Sequence, residues 1–127
     1  MSDSKGLHES ASKLKPETID RHRAVASIME ELEAVDWYDQ RIDAAGDAEL
    51  RQLLAHNRDE EKEHASMMLE WLRRHDPKLD AHLRTYLFTD KNLIDIEHEP
   101  EGDAAAPGKS TAKPAGDGSL GIGSLRK

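Results

Sequence analysis

The sequence predicts an all-α protein: an antiparallel two-helix hairpin plus a short third helix, with a second copy needed to complete a four-helix bundle. Three observations lead there. Apolar residues recur at helical spacing through two long stretches, 16–45 and 48–75. Proline, glycine and aspartate punctuate the chain where helices start and stop. Finally, 35% of the 127 residues are charged and only 4% aromatic, so a self-sufficient core is beyond this chain's reach. Two helices cannot enclose a core, and a hairpin of this kind buries its face by pairing.

Residues 1–14 are polar and are expected as a flexible N-terminus. Lys15-Pro16 opens the first helix, because proline suits the first helical position. The pattern runs to Gly46, expected as a left-handed C-cap. Asp47 caps the second helix, with Glu49 in its first turn, and Arg73, Arg74 and His75 suit the negative end of its dipole. Asp76-Pro77 breaks that helix and starts a third over KLDAHLRTYLF, with Leu79, Leu83, Tyr86 and Leu87 on one side. The hairpin domain thus spans 15–90. Residues 91–118 are rich in Gly, Pro, Ala and charge, the composition of a flexible linker. The last nine residues, 119–127, bring back the aliphatics Leu120, Ile122 and Leu125.

A net charge of -8 speaks against nucleic acid and anionic membrane as partners, since both call for basic patches, and is compatible with gathering cations. The absence of cysteine excludes disulfides, thiolate zinc sites and iron–sulfur clusters. The N-terminus lacks the apolar run of a secretory signal, and no stretch approaches the ~20 apolar residues of a membrane helix. A cytoplasmic protein is expected.

The helical wheel sorts the acidic residues. In the first helix Val25, Ile28, Leu32, Val35 and Ile42 define an apolar stripe with Glu31 in or beside it, and Tyr38 on the same flank. Glu30, Glu33 and Trp37 share the opposite face. In the second helix the stripe is Leu50, Leu54, Asn57, Glu61, His64, Met68, Trp71 and His75, supported by Leu53, Ala65 and Leu72. Within "NRDEEKEH", Glu61 and His64 point inward and Glu60 and Glu63 to the side. A lone Glu-x-x-His on a helix is weak evidence, explicable by an i,i+3 hydrogen bond or a register-setting charge. The hairpin register sharpens it: Glu31 precedes Gly46 by the fifteen residues by which Glu61 follows it. At ~1.5 Å per residue both stand about 22 Å from the turn, and the inward polar groups meet at one level.

Di-iron bundles of the ferritin type take one glutamate from each of two helices and a Glu-x-x-His from each of the other two. This chain carries half of that set, and a two-fold pair supplies four carboxylates and two imidazoles for two metals, one per chain. Carboxylates with one imidazole per ion suit iron, manganese or cobalt, although such a set also holds zinc without turnover. Oxidation of Fe(II) by O₂ is the natural reaction. Trp37 among Glu30 and Glu33 is read as a contact with a further subunit, where the two glutamates attract metal ions on their approach. Tyr38 is placed to support a ligand carboxylate.

"HRAVASIMEELEAVDWYDQR", "LAHNRDEEKEHASMMLEWLRR" and "HLRTYLFT" resemble the encapsulated ferritins, over about residues 16–89 and again over the last nine. The resemblance implies a half-ferritin whose dimers rebuild a four-helix bundle around a di-iron ferroxidase site and associate into a decameric ring. It implies Glu31, Glu61 and His64 as ferroxidase ligands, Glu30 and Glu33 as metal-attracting residues, and Trp37 and Tyr38 as the aromatic pair near the site. It also implies residence in an encapsulin nanocompartment, where iron is oxidised and stored. "SLGIGSLRK" is similar to the encapsulin cargo-loading peptide, with Leu120, Ile122 and Leu125 docking on the shell. The competing expectation from another class is a non-catalytic, acidic helical module that buffers metal or binds partners while tethered to a shell.

Overall fold

The computed structural model describes residues 6–99, and among them all regular structure is helical. The chain divides into two units, one ending at His75 and one beginning at Asp76.

In the first unit a 3-10 turn at Ala11–Lys13 precedes α1 (Pro16–Ala44) and α2 (Ala48–Arg74). Pro16 occupies the first turn of α1, as its fixed φ favours. The hairpin turn departs from expectation. Ala45 leaves α1 in extended backbone (φ -77°, ψ 138°), its N–H still bonded to the Arg41 carbonyl at 2.9 Å. Gly46 therefore has no left-handed cap to form, and its φ lies outside that region. Asp47 then starts α2 by accepting the Leu50 N–H at 2.8 Å. His75 is the C-cap of α2 rather than its last helical residue.

α1 packs along α2. The inner line of α1 is Ala24, Ile28, Glu31, Val35, Tyr38 and Ile42, and that of α2 is Leu54, Arg58, Glu61, Ala65, Met68 and Leu72, all buried or half-buried. Ala24 is 2% exposed and Ala65 8%, small side chains that permit close approach of the helices. Four of the apolar residues expected on the two stripes lie elsewhere, Val25, Leu32, Leu50 and Leu53 all being exposed, and His64 and His75 are exposed as well. Ile28, Val35 and Ile42 lie on the inner line of α1 as expected, while Ala24 takes the place of Val25 and Glu31 that of Leu32, alanine rather than valine making the tightest contact. The hairpin's own core is consequently thin, and apolar side chains remain on its open flanks.

In the second unit Asp76 caps α3 (Pro77–Tyr86) by accepting the Leu79 N–H at 3.0 Å. The helix stops two residues short of the expected end, since Leu87 is extended and Phe88 adopts a left-handed φ of 61°. A short helix α4 (Leu93–Glu97) follows where linker was expected. Asn92 starts it by accepting the N–H groups of Ile94 and Asp95, and Lys91 pairs with Glu99 across it at 3.1 Å. No helix among the described residues is long and apolar enough to cross a membrane. The remainder of the expected linker and the peptide bearing Leu120, Ile122 and Leu125 lie outside the described residues.

Candidate metal centre

The site is assembled at the middle of the hairpin. Glu31 comes from the inner line of α1, Glu61 and His64 from adjacent turns of α2, and one ligand atom of each falls within 4.8 Å of the others. His64 Nδ1 stands 3.3 Å from Glu61 Oε1 and 3.8 Å from Glu31 Oε1. The two carboxylates are about a quarter exposed, whereas His64 is 49% exposed. Sequence periodicity placed His64 inside the hairpin; in the structure it stands at the open face, because positions 61 and 65 take the contact with α1 and 64 falls beside it.

Two carboxylates this close do not both ionise freely. The hydrogen bond between Glu31 and Glu61 raises the Glu31 carboxyl, reinforced by partial burial and by the Glu61 charge. The same bond lowers Glu61, which also accepts from His64. The pair therefore resists carrying two full charges at once. The His64 imidazole is held more basic, first by its bond to Glu61 and then by both carboxylate charges. Two carboxylates meet a single imidazole, which can offset at most one of their charges. Two carboxylates and an imidazole are donors that a divalent first-row metal accepts.

The outward face of α1 carries Glu30, Glu33 and Trp37, all exposed, Trp37 at 48%. Glu60 and Glu63 are likewise exposed, and His56 Nε2 lies 3.3 Å from Glu60 Oε2. Tyr38 is half-buried on the inner line, two turns from Glu31, and its ring lies 5.6 Å from the Arg41 guanidinium, which also stands 6.0 Å over Trp37. Arg58 escaped the sequence reading. Its spacing of three before Glu61 and seven before Ala65 puts it on the inner line, and it reaches across to Asp39 of α1 at 3.0 Å.

Comparison with known proteins agrees with this architecture. A family model described as EncFtn-like matches residues 6–90. The "Encapsulated ferritin-like protein" of Rhodospirillum rubrum is 61% identical, with 97% of this chain and 89% of that one covered. The "Ferritin-like protein" of Thermotoga maritima is 52% identical over 80% of this chain and 89% of its own. The "Encapsulin nanocompartment cargo protein EncC" of Myxococcus xanthus is 31% identical over 80% of each. A crystal structure of a protein from Nitrosomonas europaea is similar at a TM-score of 0.68 and 58% identity, covering 69% of this chain and 97% of the other. A family match over most of the chain, with relatives of this identity along it, shows that the chain belongs to the EncFtn-like family.

Proposed function

We propose that this protein is a ferroxidase, oxidising Fe(II) to Fe(III) with O₂ at a di-iron centre built between two subunits, as cargo of an encapsulin nanocompartment. The observation that carries the reading is the meeting of Glu31, Glu61 and His64 within 4.8 Å at the open face of a hairpin. Three donors on an open face are half of a centre. A second copy related by a two-fold axis brings the other three, and four carboxylates then neutralise two divalent ions. The apolar side chains left on the open flanks, Leu32, Leu50, Leu53 and Met67 among them, are what such pairing covers.

In this reading the iron is substrate. The carboxylates favour the trivalent product over the divalent reactant, and each Fe(II) gives one electron to O₂. Glu30 and Glu33, beside Trp37 on the outer face, draw cations toward the centre at a contact between dimers in a decameric ring. Tyr38, on the inner line two turns from Glu31, belongs with Trp37 to the aromatic pair on the approach to the site. The names of the relatives support delivery to a shell, and Leu120, Ile122 and Leu125 of the terminal peptide supply the docking contacts there. Storage of the oxidised iron then falls to the compartment in the cytoplasm.

Stopped-flow oxidation of Fe(II) by O₂, with iron counted per chain, tests the proposal. Wild type binds one iron per chain and consumes O₂. Glu31→Ala and Glu61→Ala each slow oxidation more than about tenfold, since losing even an outer partner of a metal ligand costs that much. Unchanged rates in both variants overturn the reading. Fe(II) bound without O₂ uptake would instead establish the metal-buffering module.

A further inference from the structure

Glu31 and Glu61 face each other from different helices, their ligand atoms within 4.8 Å, with the single imidazole of His64 beside both. Something must hold α1 against α2 at this level. On the side away from the turn, the small residues Ala24 and Ala65 are buried and allow close packing. On the turn side the inner line of α2 offers no comparable hydrophobe beside Glu61: the next inner position is Arg58. Its Nη1 donates to Asp39 Oδ1 on α1 at 3.0 Å, and its Nε donates to Asp59 Oδ1 at 3.0 Å. The Arg58 side chain is 25% exposed, half the exposure of the Asp39 side chain at 53%. Its guanidinium bridges the two helices one turn from the metal ligands.

Resting on the metal-centre reading, we infer that Arg58 is a positioning residue for that centre: its cross-helix pair with Asp39 fixes the spacing at which Glu31 and Glu61 can share a cation. Among the described residues the pair makes no hydrogen bond or ion pair to Glu31, Glu61 or His64. Arg58 hydrogen-bonds Asp39 and Asp59, so its charge does not replace the metal's. Arginine suits the task because its planar guanidinium presents separate donors to the two acceptors at once, which lysine cannot do as rigidly. Partly exposed ion pairs add little to overall stability. The effect of this one therefore appears in how well the ligands are arranged, and in metal affinity.

The test uses the full-length protein at fixed chain concentration, titrated with Co(II) alone and read by its d–d absorption. Arg58→Gln and Asp39→Asn each weaken Co(II) binding on the order of tenfold, the lower end of what outer-shell changes cost, with helix content unchanged. Because both remove one interaction, the double variant Asp39→Asn/Arg58→Gln is no weaker than the worse single one. Arg58→Lys recovers part of the loss. Wild-type affinity in Arg58→Gln overturns the inference, and so do losses that add in the double variant. Glu61→Ala separates the two levels of the argument. If it loses Co(II) while Arg58→Gln does not, only the positioning role fails. If Glu61→Ala binds Co(II) as wild type does, the metal-centre reading itself fails.

Discussion

Helix α2 carries the same local device twice. Glu61 is followed three residues later by His64, and Glu70 three residues later by Arg73. Around Glu70 the device closes on itself: Arg73 donates Nε and Nη2 to the two carboxylate oxygens at 2.8 Å each, and Arg74 Nε adds a third bond at 2.7 Å. These guanidiniums hold the Glu70 carboxyl at about 2, with the Arg73 bonds the larger cause. Around Glu61 the base is an imidazole that can lose its charge, and a second carboxylate arrives from α1. There the Glu61 carboxylate pushes the Glu31 carboxyl up. Exposure does not separate the two, since both glutamates keep contact with solvent. Permanent positive charge does. One cluster is complete as folded, and the other has room for a cation.

The largest expected effect comes from removing each glutamate in turn. Glu61→Ala abolishes measurable iron binding at the cluster and with it rapid Fe(II) oxidation. Glu70→Ala, on the same helix, leaves the oxidation rate within about twofold of wild type, as for surface positions generally. Equal losses in stopped-flow traces would mean that both variants act through the helix, and the contrast would collapse.

A smaller and more diagnostic effect comes from making one cluster resemble the other. His64→Arg supplies the cation permanently, as Arg73 does for Glu70. The expected outcome is a metal-free protein that melts slightly higher than wild type, because the carboxylate repulsion is relieved. Its thermal transition no longer rises on adding Co(II), whereas that of wild type does through ligand linkage. A variant that still gains from Co(II) would show that the imidazole position is not part of the metal's surroundings.

The hairpin was legible because its signals are local and redundant: Pro16, Asp47 and Asp76 each start a helix by a side-chain or ring property written in one residue. The meeting of Glu31 with Glu61 was legible through register, since equal distances from the turn need no knowledge of packing. What failed depended on close approach. Which of Ala24 or Val25 touches α2 is decided by helix separation, and a hydrophobicity count favours the valine that the structure leaves exposed. The exposed position of His64 has the same origin. Helix α4 was hidden by the Gly/Pro-rich composition that follows it, although Asn92 before LIDIE was a readable cap. Arg58 was hidden because an arginine on an inner line looks like a solvated neighbour until its partner on the other helix is in view.

The smallest effect concerns acid, and the two clusters should respond with opposite sign. Folding lowers the Glu70 carboxyl from its ordinary 4.5 to about 2. Its contribution is therefore fully present above about 4.5 and is lost as the pH falls toward 2. Because the Glu70 side chain is 43% exposed, solvent screening keeps that contribution below about 1 kcal/mol. For Glu31 the carboxyl is raised, so folding favours its protonated form. That contribution is present at pH below its ordinary value and fades as the pH rises through the raised one. Urea unfolding of Glu70→Gln and Glu31→Gln against wild type, in chelator between pH 2 and neutrality, resolves the two. The Glu70 difference grows with rising pH. The Glu31 difference shifts toward the variant over the same range, because glutamine keeps the hydrogen bond and sheds the charge. Parallel pH slopes in the two variants would show that the clusters are electrostatically alike, and that the cation deficit at Glu31 and Glu61 is not what sets them apart.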